Sequence, residues 1–281
     1  MLPRAALLTL FFLVVVAPVG WALGYAVAYS VGWAGLLSRG FTLEHWHRVL
    51  TDGEVLPSMA HSLALAAVCV VLTVILALCI TLPLRASVTR GALSDALLFP
   101  LALPPTVAAL FVLQMFSGAG LLSRVAFHLG LIREPRDFPH LIFDPAGIGI
   151  LTTHLLLAVP FFCLLFAQIH RNEKLDELTS LAKTLGAGRA ACLRRVVLPI
   201  LLRRSRANLS LFFIGVLGSF EIPSLLGAQS PRMISVLTRQ KFALFDLSEK
   251  SQAYIIAVLY SLLALSLIAL TFRKKEAPHV A

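Results

Sequence analysis

Long uncharged stretches dominate this sequence and constrain its fold more than any other feature. A helix that crosses a membrane needs about 20 consecutive, mostly apolar residues, and six segments meet that requirement. Only 14% of the residues are charged, against about 25% in a typical soluble domain. The sequence therefore predicts an all-α integral membrane protein that forms a single transmembrane domain over residues 1–281. Its six membrane-spanning helices are expected at residues 5–28, 62–83, 96–116, 147–170, 207–228 and 251–272.

Positive charge is concentrated in one set of the loops between these spans. The segments 1–4, 85–95, 171–206 and 273–281 hold 15 of the 24 Lys and Arg residues but 5 of the 14 Asp and Glu residues. They therefore carry the whole net charge of +10. Loops rich in Lys and Arg stay in the cytoplasm during membrane insertion. The pattern predicts that both termini and the longest polar loop are cytoplasmic, and it explains the basic composition without nucleic-acid binding.

The first apolar run also has an alternative interpretation as a secretory signal peptide. Arg4 precedes the run, and Ala26, Val27 and Ala28 resemble a cleavage site. However, the run is about 24 residues long, whereas the apolar core of a signal peptide usually has 7–15 residues. We therefore expect a membrane span here.

Several classes of site are not supported by the sequence. The four cysteines lie in or beside apolar runs or in the charged loop, so neither a disulfide framework nor a CxxC motif is indicated. His45 and His47 are two residues apart and would face different sides of a helix, which disfavours a shared metal ion. The chain has no GxxxxGK[ST] phosphate-binding motif. No catalytic residue, metal or cofactor is predicted, and any ATP must be bound by another chain.

The polar segment from Glu173 to Pro199 is the most distinctive part of the chain. Five apolar residues recur there at helical spacing and form one stripe, namely Leu175, Leu178, Leu181, Ala182 and Leu185. Gly186 follows the last of them, where a glycine commonly ends a helix. A second, basic helical stretch is predicted from Arg189 towards Pro199. The segment is therefore expected to form two short helices joined at Gly186.

This segment resembles the cytoplasmic coupling loop of permease subunits in binding-protein-dependent ABC importers. The family pattern is Glu-Ala-Ala, three residues, Gly, nine residues, then Ile-x-Leu-Pro. Gly186 fits, Leu198 and Pro199 match the end, and only Ala182 of the triplet at residues 180–182 matches. Residues 100–132 and 144–162 also look like this family. The Pro-rich third span and residues 218–227 look most like its spermidine/putrescine, iron and thiamine group. An ordinary amphipathic loop between two spans is the alternative interpretation.

The resemblance implies a type I permease in a bacterial inner membrane. Two permease subunits, from the same or sister chains, would enclose the path. Two ATPase subunits would use ATP and Mg, and a periplasmic or lipid-anchored protein would deliver the solute. The coupling helix, at about residues 173–185, would dock on one ATPase. The residues predicted to couple are Asp176, Glu177, Leu178, Ser180, Leu181, Ala182, Lys183, Leu185, Gly186, Arg189, Leu198 and Pro199.

A translocation path is predicted from the polar residues within the spans. Gln114, His154, Ser219 and Glu221 are the candidates, and Glu221 is the one acidic residue inside a predicted span. An intramembrane carboxylate usually faces a cavity or a partner, and here it would favour a cation, with a polyamine-like solute preferred. Each of the two ionisable candidates has an alternative interpretation. Glu221 could instead lie at the outer interface and pair with Arg232 or Arg239. His154 could instead form a hydrogen bond to a neighbouring helix.

Two further function classes compete with an ATP-driven importer. A secondary transporter driven by an ion gradient would need several buried carboxylates or histidines as a coupling chain, whereas Glu221 and His154 are the two candidates here. An intramembrane enzyme would need metal-ligand spacing or paired aspartates, and neither is present. Residues 230–250 are expected to be polar and irregular, and to offer a docking surface for the solute-binding protein.

Overall fold

The computed structural model describes residues 4–35, 38, 40–89, 91–244 and 247–273. Within these residues the regular structure is entirely helical. Residues 1–3, 90 and 274–281, on which part of the orientation argument rests, lie outside them. The helices are α1 Arg4–Phe11, α2 Ala17–Ser30, α3 Glu44–Thr51, α4 Val55–Thr81, α5 Arg85–Thr89, α6 Ala92–Leu101, α7 Pro105–Phe116, α8 Leu121–His128, α9 Ile148–Asn172, α10 Leu175–Thr184, α11 Arg189–Cys192, α12 Leu198–Gly218, α13 Glu221–Leu226, α14 Ile234–Ala243 and α15 Leu247–Arg273.

Three short elements complete the helical description. A π-helical turn, Phe12–Val16, joins α1 to α2, and a second one, Leu193–Val197, joins α11 to α12. A 3₁₀ turn spans Pro135–Asp137. The all-helical fold class predicted from the apolar runs is confirmed.

Five helical stretches in the described residues are long and apolar enough to cross a membrane. They are Ala5–Ser30, Val55–Thr81, Pro105–His128, Ile148–Asn172 and Glu249–Thr271. The predicted fifth span is not among them. Its helix α12 begins earlier, at Leu198, includes Arg203, Arg204 and Arg206, and ends at Gly218. The prediction of one helix over residues 207–228 is therefore wrong. The count of six spans stays a prediction.

The third predicted span is divided by its prolines. α6 ends at Leu101, and α7 begins at Pro105 after the extended residue Pro104. A proline lacks a backbone donor and disfavours helix in the residue before it, so Pro104 and Pro105 separate the two helices. Pro100, by contrast, lies inside α6.

The backbone contacts divide the chain into two compact units, each with its own interior. One contains residues up to Ala60 together with Ile234–Ser266. In this unit Tyr29 stacks on Tyr254, with ring centroids 4.4 Å apart. Lys241 is only 8% exposed, and its Nζ donates to Asp52 at 2.7 Å, to Glu249 at 3.1 Å and to Gln252 at 2.8 Å. The prediction of one domain is not tested by this division.

The second unit contains His61–Met233 and the end of α15, and it is built around α9. Small residues of α9 let other helices approach closely. Thr81 on α4 donates to the carbonyl oxygen of Cys163 at 3.3 Å. The core also includes Phe162 and Phe166 of α9, together with Leu175, Val197 and Leu201.

The polar stretch at residues 230–250 is more regular than expected. α14 occupies Ile234–Ala243, and Ile234 and Leu237 are buried on one of its faces. The expectation of an irregular loop was therefore wrong for these residues. The error arose because isolated polar residues obscured an apolar pair at helical spacing. Residues 245 and 246 lie outside the described part of the chain.

Candidate functional site

A sharp corner separates α9 from the first helix of the polar segment. α9 ends at Asn172, and Lys174 adopts a left-handed backbone conformation with φ of 50° before α10 begins. Leu175, the first residue of α10, is fully buried in the core around α9. The apolar anchor therefore fixes the start of α10 to the helix bundle.

The end of α10 is a Schellman motif at Gly186. The amide of Ala187 donates to the carbonyl oxygen of Ala182 at 3.0 Å, and the amide of Gly186 donates to that of Lys183 at 2.9 Å. Gly186 has φ of 87°, a conformation that side chains with a Cβ rarely adopt. The two short helices and the turn at Gly186 are therefore present as the sequence predicts.

The leucine stripe of α10 changes from buried to exposed along the helix. Leu175 has no exposed surface, whereas Leu178, Leu181 and Leu185 are 40%, 60% and 81% exposed. Ala182 is half-buried between them. An apolar patch of this kind outside a membrane span is typical of a protein interaction surface. Leu175 therefore anchors α10 in the core, whereas the other three leucines are exposed and available to a partner.

Two acidic residues of this segment form ion pairs within the chain. Asp176 pairs with Arg85 of α5, and Glu177 lies 3.7 Å from Lys174. Lys183, Arg189 and Ser180 are exposed, and the Ser180 hydroxyl donates to the carbonyl oxygen of Asp176 at 2.8 Å. Asp176 was predicted to interact with an ATPase, and its bond to Arg85 is a further contact that the sequence pattern did not reveal.

The second short helix packs back on the first and continues into α12. The thiol of buried Cys192 contacts the carbonyl oxygens of Ala187 at 3.7 Å and Thr179 at 3.9 Å. Leu198 and Pro199 form the first turn of α12. The π-helical turn Leu193–Val197 joins α11 to α12 with no residue between them. Helical structure therefore runs on from α11 into the longer α12.

A cavity of about 840 Å³ lies among the helices of the second unit. Its wall includes three of the four predicted path residues, His154, Ser219 and Glu221. Gln114 is exposed on α7 and is not part of the wall. The apolar part of the wall includes Leu101 of α6 and the aromatic residues Phe161, Phe162, Phe212 and Phe220.

Two polar side chains in the wall have distinct environments. Glu221 begins α13 after the break at Ser219, and its Oε2 accepts a hydrogen bond from the Thr106 hydroxyl at 2.8 Å. His154 is buried, and its Nε2 has no hydrogen-bond partner among the described residues. A carboxylate and aromatic rings in the same wall are groups that can interact with a cation.

Sequence reasoning missed Asn208 as a cavity residue. It lies on α12 and contributes to the wall with Leu211 and Gly215. The signal was present, since Asn208, Leu211 and Gly215 are spaced three and four residues apart on one helix face. It was obscured by the nearby arginines, which made residue 207 look like the start of the span.

Sequence comparison links the chain to transport proteins. No protein-family model matches it. It is 30% identical over 123 residues to the probable ABC transporter permease protein y4fN of Sinorhizobium fredii, a match covering 44% of this chain and 21% of that protein. It is 29% identical over 183 residues to the thiamine transport system permease protein ThiP of Brucella suis, covering 64% and 31% respectively. The chain thus spans less than a third of each relative's length.

Structural comparison extends over nearly the whole chain. A bacterial ABC transporter that imports the acidic polysaccharide alginate superposes with a TM-score of 0.66 at 15% identity, covering 96% of this chain and 94% of that one. A complex of bacterial alginate ABC transporter with its pentasaccharide-bound periplasmic protein gives 0.68 at 14%, covering 96% and 92%. The fold is that of an ABC importer permease. Together with the five long apolar helices of this chain, the shared fold indicates a multi-pass membrane protein.

Proposed function

We propose that this chain is the permease subunit of an ATP-driven ABC importer. It forms half of the translocation path, beside a second permease of the same or a sister chain. Two separate ATPase subunits bind ATP and Mg and hydrolyse the ATP. A periplasmic or lipid-anchored protein delivers the solute to the bacterial inner membrane, where both termini of the permease face the cytoplasm.

The observation that carries this proposal is the division of the α10 leucine stripe. Leu175 is embedded in the core, while Leu181 and Leu185 are largely exposed at the other end of the same short helix. An ATPase groove that covers the exposed leucines would gain hydrophobic contact. Because the buried leucine belongs to the bundle core, movement of α10 would also move the bundle. The named relatives and the shared fold support the same function.

We propose that the solute is a small cation, with a polyamine-like compound favoured. Glu221 provides a negative charge in the cavity wall, and aromatic rings in the same wall can interact with a cation. One relative is named for thiamine, and the solved neighbours are named for alginate. The solute of this chain therefore has to be measured, starting with the ligand of any binding protein encoded beside it.

Uptake under controlled energy supply tests the proposed function. Radiolabelled spermidine is offered to cells expressing the chain with its neighbouring transport genes, and uptake is measured after ATP depletion with the ion gradient maintained. An ATP-driven importer loses uptake under these conditions. A transporter driven by the ion gradient keeps it, and that result would contradict the proposal.

Purification provides the second part of the test. We expect the ATPase subunit to copurify with the wild-type chain and to be lost when Leu181 and Leu185 are both changed to Asp. The matched control is Leu129→Asp with Leu131→Asp, which changes two exposed leucines that follow α8. Equal loss of the ATPase in both double variants would show that the effect does not depend on α10.

A further inference from the structure

The corner between α9 and α10 is held by two ion pairs that lead to different helices. Glu173 pairs with Arg204 of α12 in a fork, with Nε 2.7 Å from Oε1 and Nη2 3.1 Å from Oε2. Asp176 pairs with Arg85 at the start of α5. A forked arginine–carboxylate pair restricts orientation as well as distance. The start of α10 is thus connected to two other parts of the same unit.

A buried histidine supports the second of these connections. The Nη1 of Arg85 lies 2.9 Å from Nε2 of His170, and Nδ1 of His170 lies 3.8 Å from Oδ2 of Asp176. A guanidinium group has donors but no acceptor, so Nε2 must accept the bond and the ring proton belongs on Nδ1, facing the carboxylate. His170 is buried and holds Arg85 towards α10.

Both connections lead to the wall of the cavity. Arg204 lies on α12, and Asn208 of the wall follows one helical turn later. Arg85 begins α5, which packs on α6 and α9, and Leu101 at the end of α6 also lines the wall. The ion pairs therefore add one connection from the start of α10 to α12 and another, through α5, to α6. They act beside the direct packing of α10 on α9 and on the turn Leu193–Val197 before α12.

We propose that Arg85 and Arg204 are positioning residues that divide the movement of α10 between these two sides. Arg85 transmits it through α5 to α6, and Arg204 transmits it directly to α12. This inference rests on the proposed function, in which an ATPase moves α10. Neither arginine belongs to the leucine surface that would dock the ATPase, so their replacement separates transmission of the movement from docking.

Thiol labelling at the two sides of the cavity tests the division. Leu101→Cys and Leu211→Cys are introduced separately into the complete transporter, with the exposed native Cys79 changed to Ser. The rate of alkylation is measured in membranes with and without Mg-ATP and vanadate. When both arginines are present, we expect the nucleotide to change the alkylation rate at each position. This measurement requires no knowledge of the solute.

The arginine variants give opposite patterns if the proposal is correct. Arg85→Gln reduces the nucleotide effect at Leu101→Cys by about two- to thirtyfold and leaves the effect at Leu211→Cys intact. Arg204→Gln does the reverse. Arg203→Gln, which removes an exposed neighbouring arginine on α12, changes neither. The charge exchange Glu173→Arg with Arg204→Glu restores the effect that Arg204→Gln removes.

Three results would overturn the inference. If the ratio of alkylation rates with and without nucleotide is the same in both arginine variants as in the wild type, neither arginine transmits movement. Loss of the ATPase subunit or of ATP hydrolysis in either variant would assign that arginine to docking. A wild-type complex without any nucleotide effect at either position would remove the proposed function as well, whereas the first two results leave the importer function intact.

Discussion

The hydroxyl of Thr106 donates a hydrogen bond to Oε2 of Glu221 at 2.8 Å. Thr106 lies in the first turn of α7 and Glu221 begins α13, so the carboxylate is held between two helices that border the cavity. The position of the Glu221 carboxylate therefore depends on α7 as well as on α13. This arrangement allows the charge and the hydrogen bond to be tested separately.

Changing Glu221 to Gln removes the charge and keeps the shape. If the carboxylate meets a cationic solute, spermidine uptake should fall by about ten- to a hundredfold, because a hydrogen bond to a charged group contributes about 1.5–3 kcal/mol. Thr106→Val should have a smaller effect, and Thr106→Ser, which keeps the hydroxyl, should have little. Initial uptake rates normalised to membrane content check this. Unchanged uptake in Glu221→Gln would remove Glu221 from the path.

The effect of replacing Gly186 should depend on how readily the new residue adopts a left-handed backbone conformation, and not on the size of its side chain. Open space surrounds its Cα, and its φ is 87°. A left-handed conformation costs residues other than glycine about 1–2 kcal/mol, and asparagine is among those that adopt it most readily. We expect Gly186→Val to abolish uptake with normal membrane levels, and Gly186→Asn to retain most of it. Equal uptake in the two variants would contradict a conformational role.

Gly186→Asp adds a charge at the same turn. Aspartate also tolerates the left-handed conformation, so a loss of uptake in this variant would come from the charge beside the exposed leucines. We expect uptake to be abolished while an immunoblot of the membrane fraction shows normal amounts. Degradation of the variant would mean that the turn is needed for folding rather than for coupling.

The two ends of α10 should respond differently to the same truncation. Leu175→Ala removes a fully buried side chain and should destabilise the protein by about 2–5 kcal/mol. Leu181→Ala, on an exposed side chain, should change stability by no more than about 0.5 kcal/mol but weaken copurification of the ATPase. Thermal unfolding in detergent and pull-down yields measure the two effects. Similar melting temperatures in both variants would contradict the anchoring role of Leu175.

The buried charge cluster around Lys241 should make one unit sensitive to acid. Burial alone would raise the pKa of Asp52, but hydrogen bonds from Lys241 and from the amides of Glu54 and Val55 outweigh this and lower it. Burial likewise opposes the charge on Lys241, but Asp52 and Glu249 raise its pKa overall. The Asp52 contribution is therefore present above its ordinary value of 3.8 and is lost as pH falls below it.

Lys241→Met leaves two carboxylates close together without their cation. We expect it to destabilise the protein by about 3–5 kcal/mol at pH 7, and the difference from the wild type to shrink as pH falls towards 3.5 and the carboxylates become protonated. Lys250→Met, a partly exposed lysine on α15, is the control. Thermal unfolding at several pH values measures this, and a difference that does not change with pH would contradict the assignment.

Local sequence patterns predicted the longest helices and the leucine stripe of α10. The apolar runs defined α4, α9 and α15, and Gly186 with the leucine stripe defined α10. The pairing of Asp176 with Arg85 was not predictable, because it joins residues 91 positions apart. The break at Ser219 was also missed, although Gly218, Glu221 and Pro223 mark the position, because the apolar residues on both sides were interpreted as one continuous span.

The π-helical turn at Leu193–Val197 has a consequence for deletions and insertions in this part of the chain. In a π-helix, residues five apart lie over one another, so Cys192, which packs on α10, and Val197, which packs in the core, share one face. In an α-helix they would be about 140° apart. The π-helical turn therefore sets the rotation between two buried surfaces, the one around Cys192 and the one around Val197. Removing one residue from it would place Cys192 and Val197 four positions apart, which is still one face of an ordinary α-helix. Inserting one residue would instead turn one of the two surfaces towards solvent.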